Sequence, residues 1–199
     1  MLITGIKSRP IYTALAPDLG GRYHLLVGQG SGGDALLRLL QEMPAGADIH
    51  VLYATESLSG TDRSEALVAR GLSDFRIFAT LTEVSVALDQ TLAGCVMGTR
   101  LYIAGSESFI GSAVRVAMKY NLNGDEVQRE LCGSAARRVY CIHCKAANEN
   151  VTTNIVKCPG CGSHLLVRDH YSRRLAAYMG VMVDAEAPGE LPPIKVVFV

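Results

Sequence analysis

Two Cys-x-x-Cys pairs, Cys141/Cys144 and Cys158/Cys161, stand thirteen residues apart in the last third of a 199-residue chain. Each pair has the length of a tight knuckle that points two sulfurs at one ion, and thirteen residues suffice for a hairpin that brings the knuckles together. The spacing predicts one tetrathiolate site made by Cys141, Cys144, Cys158 and Cys161, with a small ribbon folded around it. A ribbon of that size cannot be held by apolar burial alone, so the ion is part of the fold. His143 and His164 flank the cysteines, but four thiolates already complete a tetrahedron and leave no vacancy for an imidazole.

The chain ahead of the ribbon reads as alternating strands and helices. Residues 23–27 form an apolar run that ends in the glycine turn 28–33, after which helical periodicity starts at Asp34. Strands are expected at 49–53, 75–79 and 100–104, each followed by a helix, at about 62–70, 83–93 and 109–119. Such alternation predicts a parallel, three-layer α/β lobe over residues 20–131, after an N-terminal segment 1–19. The ribbon then spans 136–183, and 184–199 is a proline-rich acidic linker with an apolar tail, expected to order only inside a complex.

Gly28, Gly30 and Gly33 match G-x-G-x-x-G in a strand-to-helix context, where backbone N–H groups and a helix N-terminus can face a pyrophosphate. Glu56, just past the second strand, is placed to accept from a ribose, which would favour NADH over NADPH. The alternative is a tight turn with no ligand, in which Asp34 is an ordinary helix cap.

Nineteen basic and nineteen acidic residues cancel, which argues against nucleic-acid binding and against an anionic membrane surface. No apolar run has the length of a membrane span and no secretory signal is evident, so the expected location is cytoplasmic. Cys95 and Cys132 are then structural thiols in a reducing compartment. Asp62, Glu65, Asp125, Glu126 and Glu130 read as solvated charge, and no nucleophile, base and orienter can be assembled. Arg137, Arg138, Arg168, Arg173 and Arg174 concentrate positive charge on the ribbon, either as a docking face for an acidic partner or as a solvated rim.

From RYHLLVGQGSGGDALLRLL to GTRLYIAGSESFIGSAVRVAMKYNL, the lobe resembles the pyridine-nucleotide half of ferredoxin-reductase-type flavoproteins. Those reductases usually carry Cys-Gly-Pro after the fourth strand; here Ala104, Gly105 and Ser106 stand there, and too few residues precede the lobe for a flavin barrel. The ribbon and the segment HYSRRLAAYMGVMVDAEAPGE, together with this lobe, are similar to the DmmA-like family of dimethylamine monooxygenase subunits. That resemblance implies a small accessory component of a haem-dependent oxygenase converting dimethylamine to methylamine and formaldehyde with NAD(P)H and dioxygen. It implies haem, flavin and iron–sulfur chemistry on partner subunits, and a degenerate or vacated NAD(P)H site here. A stand-alone NAD(P)H-dependent electron-transfer reductase and a zinc-ribbon adaptor are the alternatives. At the cysteines, zinc is favoured over rubredoxin-like iron because glycine follows Cys161 but Lys145 follows Cys144.

Overall fold

The computed structural model describes residues 8–199. They form two compact units, Tyr12–Ser134 and, with residues 8–11, Ala135–Val199.

The first unit is a five-stranded parallel sheet in the order β3-β2-β1-β4-β5, with β1 Tyr23–Gln29, β2 Asp48–Ala54, β3 Asp74–Phe78, β4 Thr99–Gly105 and β5 Val127–Leu131. Helices α1 Gly32–Glu42, α2 Ser64–Val68, α3 Leu81–Ala93 and α4 Glu107–Ala117 connect the first strands. Alternate residues of the central strands feed two cores, as a sheet covered on both faces requires. Leu25, Val27, Leu101 and Ile103 pack against α3 and α4 residues such as Leu88 and Ile110, whereas Leu26, Tyr53 and Tyr102 pack against Leu36 and Leu39 of α1. The expected parallel α/β lobe is therefore the observed one.

Helix ends follow local chemistry. Helix α3 has a capping box, in which Thr80 and Glu83 satisfy each other's backbone N–H. Helix α4 starts two residues ahead of the expected Phe109 because the Ser106 hydroxyl accepts from Phe109 N–H and caps it. Helix α2 is shorter than expected, since the chain turns through Gly71 at φ +64°. The stretch ahead of β1 runs along the edge strand β5: Thr13 N–H donates to Arg129 O, Leu15 N–H to Glu130 Oε2 and Ala16 N–H to Gln128 Oε1. This covers a sheet edge that would otherwise present unpaired backbone groups. Among the described residues no helix is long and apolar enough to cross a membrane.

The second unit is a five-stranded sheet in the order β7-β6-β10-β9-β8, with β6 Arg137–Cys141, β7 Ala147–Val151, β8 Ile155–Lys157, β9 His164–Ser172 and β10 Ala177–Met182. Hairpins β6–β7 and β8–β9 are antiparallel, and β10 lies between them, parallel to β6 and antiparallel to β9. Its apolar core is small. Val139, Val151, Val167 and Tyr178 form one cluster, and Leu165 with Cys141 and Cys158 another.

Two expectations change in this unit. The apolar tail does not wait for a partner: Val197 and Phe198 N–H donate to Thr152 O, Asn154 N–H donates to Lys195 O, and Val196 bridges Thr153. Phe198 packs on one side of the Arg137 guanidinium and Tyr178 on the other, each ring centroid 3.8 Å away. Arg137 is thus no member of a cationic face, being 5% exposed and ion-paired with Asp169 at 2.9 Å. Arg138 is likewise engaged, 2.6 Å from Glu149.

Candidate metal centre

The two hairpin turns of the ribbon carry the four cysteines. Cys141 closes β6 and Cys144 follows in its turn, while Cys158 and Cys161 lie between β8 and β9. Their four sulfurs all lie within 4.8 Å of one another, with Cys141–Cys161 at 3.9 Å and Cys144–Cys158 at 3.5 Å. A tetrahedron of thiolates at ~2.3 Å from a central ion has edges of about 3.8 Å. The donor set, its number and its spacing therefore fit a single tetrathiolate ion.

The knuckles are copies of each other in backbone terms. Lys145 N–H donates to Cys141 O at 3.0 Å and Gly162 N–H to Cys158 O at 2.9 Å; Cys141 N–H donates to Ala146 O and Cys158 N–H to Ser163 O, both at 2.9 Å. Lys145 (φ +69°) and Gly162 (φ +76°) occupy the same left-handed region. By residue type Lys145 departs from a glycine knuckle, but its backbone makes the glycine's turn. The cost of a left-handed lysine, about 1–2 kcal/mol, is borne next to a contact of its own, since Lys145 Nζ donates to Ile142 O at 2.6 Å.

Each second cysteine also receives the N–H two residues further on, Ala146 to Cys144 and Ser163 to Cys161. The Ser163 hydroxyl, the Ser163 N–H and the His143 ring hold the Cys161 thiol down at about 5. At Cys144 the Ala146 N–H acts in the same sense, but desolvation and the three neighbouring sulfurs outweigh it and push the thiol up to about 12. Four thiolates this close cannot all ionise without a cation between them. Gly160 was not singled out by spacing, yet a Cβ there would lie 2.9 Å from Cys144 Sγ and 2.8 Å from Ala146 Cβ. The Cys-Pro-Gly-Cys order of the second knuckle was its only sequence sign.

The glycine turn of the lobe sits at the carboxyl ends of β1 and β4, where strand order reverses and such sheets hold ligands. Here its glycines serve packing within the chain. A Cβ on Gly30 (φ +52°) would meet Ser57 Cβ at 2.4 Å, one on Gly33 would meet Arg63 Cβ at 2.4 Å, and one on Gly28 would meet Leu36 Cδ1 at 2.7 Å. The tightest position is Gly32, where a Cβ would lie 2.1 Å from Ala104 O. Glu56 Oε2 accepts from Leu81 N–H at 2.8 Å, in the first turn of α3. Gln29, which the motif passes over as a variable position, spans the crevice: its Nε2 donates to Glu56 O, and its Oε1 accepts from the Ser106 N–H and hydroxyl. A pocket lined by Ser31, Ser57, Ser59, Ser106, Cys132 and Ser134 has a volume of about 10 Å³, the room of one water. A larger cleft of about 430 Å³, beside Cys95 and Tyr120, lies at the opposite end of β4. Burial raises the Cys95 thiol and pushes that of Cys132 up to about 11, so both are neutral thiols at pH 7.

An α/β lobe of nucleotide-binding topology followed by a four-cysteine ribbon defines the class. Within it, the chain belongs to the dimethylamine monooxygenase subunit DmmA-like family, whose N-terminal domain matches residues 4–127 and whose C-terminal domain matches residues 138–181. The heme-dependent oxidative N-demethylase delta subunit of Ectopseudomonas mendocina (strain ymp) is 31% identical over 155 residues, covering 74% of this chain and 86% of that protein. Among solved structures, an intact type IV self-sufficient cytochrome P450 monooxygenase aligns at TM-score 0.47 and 17% identity over 63% of this chain and 18% of its own. The Amycolatopsis cytochrome P450 reductase GcoB aligns at 0.42 and 16% over 57% and 38%. The present chain thus spans less than two-fifths of either.

Proposed function

We propose that this chain is an accessory subunit of a cytoplasmic, haem-dependent oxidative N-demethylase acting on dimethylamine. The overall reaction consumes one dioxygen and one NAD(P)H with a proton, and yields methylamine, formaldehyde, water and NAD(P)+. The single observation that carries the reading is the 31% identity to a delta subunit over 86% of that protein. The chain contributes assembly through a lobe and a ribbon acting as separate domains, and haem, flavin and iron–sulfur chemistry resides on partner subunits.

In this reading Cys141, Cys144, Cys158 and Cys161 hold one ion. A bound zinc supplies no redox chemistry; it ties hairpin β6–β7 to hairpin β8–β9 across a core too small to do so alone. The glycine turn is a packing device and binds no nucleotide, supported by Gln29 and Ser57 filling the space beside it and by Glu56 serving α3. A second reading, iron, is favoured by the equivalent knuckles, because both deliver an N–H to sulfur, the device that tunes an iron–thiolate potential.

Elemental analysis with visible spectra before and after dithionite separates the ions. Zinc with a colourless protein supports the structural role; one iron per chain with reversible charge-transfer bands makes the ribbon an electron relay. Co-expression with the haem and flavin subunits should give a complex whose dimethylamine turnover depends on this chain. Full turnover without it would sink its assignment to the complex, and NADH oxidation by the isolated chain would revive the reductase reading.

A further inference from the structure

The zero net charge of the chain conceals a division. Residues 12–134 carry nine Lys/Arg against fourteen Asp/Glu, and the remaining residues carry ten against five, so the lobe stands at minus five and the ribbon unit at plus five. Within the ribbon the carboxylates of the sheet are already engaged: Asp169 by Arg9 and Arg137, Glu149 by Arg138. The cations of the β9–β10 hairpin are not. Among the described residues no carboxylate lies within ion-pair distance of Arg168, Arg173 or Arg174, and the residues outside that range, MLITGIK, contain none.

These cations lie along one hairpin. Along β9, Leu165 and Val167 are buried, while Leu166, Arg168 and His170 alternate with them on the outward face. Arg173 and Arg174 project from the exposed turn that follows. Leu166 pairs with Val181 of β10, and both are partly exposed on that face. The hairpin therefore presents one apolar pair, Leu166 and Val181, with Arg168 and His170 along the same face and Arg173 and Arg174 at the exposed turn, three guanidiniums without carboxylates. Apolar contact at the centre with charge at the rim is the make-up of a protein interface, and guanidiniums suit planar, bidentate capture of carboxylates.

We propose that the outward face of the β9–β10 hairpin, centred on Arg168, Arg173 and Arg174, is the docking surface for an acidic protein partner. Duplex nucleic acid is the lesser fit: its affinity comes from neutralising a run of some 6–10 phosphates, and three arginines on one hairpin do not extend into such a track. The proposal does not depend on the subunit reading above.

The test is an NMR titration of the full chain, with poly-L-glutamate as the carboxylate probe and, separately, a duplex DNA oligonucleotide as the phosphate probe, at low and high salt. Poly-L-glutamate should shift amides of 166–174 and 181–182 and leave the lobe unmoved, with affinity falling roughly tenfold as salt screens the contact. The triple variant Arg168→Glu, Arg173→Glu, Arg174→Glu should lose at least about tenfold in affinity, while the exposed lobe variant Arg115→Glu changes nothing. Because all three reversals lie on the surface, retained ribbon chemical shifts verify the fold, and Arg-to-Gln replacements provide a milder series. Shifts spread over both units, a triple variant that binds as the unaltered chain does, or tighter binding of DNA at the same residues would each overturn the proposal. A chain that binds poly-L-glutamate here yet assembles with no demethylase subunit would leave this surface standing and remove the subunit reading.

Discussion

Replacing Gly160 with alanine probes the metal centre at its tightest point. The new Cβ would stand 2.9 Å from Cys144 Sγ and 2.8 Å from Ala146 Cβ, whereas favourable contacts of this kind lie at about 3.5–4.0 Å. One partner must therefore retreat by roughly 0.7 Å or more. A metal–ligand distance tolerates about 0.2 Å. Both residues struck belong to the opposite knuckle, Cys144 as a ligand and Ala146 as the donor of the N–H that this ligand accepts. The expected loss is about 10- to 100-fold in metal affinity, the range seen when the support of a ligand is disturbed. Gly162→Ala is the control. Nothing lies within 4 Å of its added Cβ, and the penalty is the left-handed φ of +76° alone, about 1 kcal/mol or roughly fivefold in apparent affinity. Competition against a chromophoric chelator, with zinc or cobalt(II), reads both. If Gly160→Ala bound metal as tightly as the unaltered chain, or if Gly162→Ala were the worse of the two, the steric reasoning would be wrong.

Other positions give independent checks. Gly32→Ala would place a Cβ 2.1 Å from the Ala104 carbonyl oxygen, a backbone atom that cannot rotate away; a loss of about 3 kcal/mol or more is expected in urea unfolding of the lobe, with metal content unchanged. Arg137→Met would strip Asp169 of one guanidinium and remove the cation between Tyr178 and Phe198. The expected cost is about 2 kcal/mol, below the roughly 3–5 of a fully buried pair, because Asp169 is 28% exposed and keeps Arg9. Amide exchange of Val197 and Phe198 should then rise, and unchanged protection would show that the tail is held otherwise. His24 is buried within 3.2 Å of the Tyr102 hydroxyl, and burial lowers its pKa. Since the folded value lies below the unfolded one, the stabilisation is complete above about pH 6.5 and is lost as pH falls from there toward the folded pKa. Urea midpoints should fall between pH 7.5 and pH 5.5 for the unaltered chain and less for His24→Gln; equal slopes would contradict the assignment.

Legibility differed between the two kinds of site. The cysteine tetrad could be read from spacing, because a Cys-x-x-Cys knuckle closes its own turn within a few residues and needs only one hairpin to meet its twin. Lys145 could not, since nothing local distinguishes a lysine that will adopt a left-handed φ from one that will not; pairing of Cys141 with Ala146 across the turn imposes it. The glycine turn was legible as a turn and illegible as a site. Whether Gly30 faces a phosphate or Ser57 depends on where the loop after β2 comes to rest, and that loop is 27 residues further along the chain.

By itself the sequence determined the order of strands and helices in the lobe and the cysteine tetrad of the ribbon, because apolar periodicity and cysteine spacing are local properties that survive any packing. Tertiary structure decided the rest. It returned the tail to its own ribbon through Thr152 and Arg137 and withdrew Arg137 and Arg138 from the cationic face by pairing them with Asp169 and Glu149. It also left Arg168, Arg173 and Arg174 without carboxylates among the described residues. Those outcomes depend on which distant groups come within about 4 Å of one another, where electrostatic and packing energies become large, and sequence spacing carries no such distances.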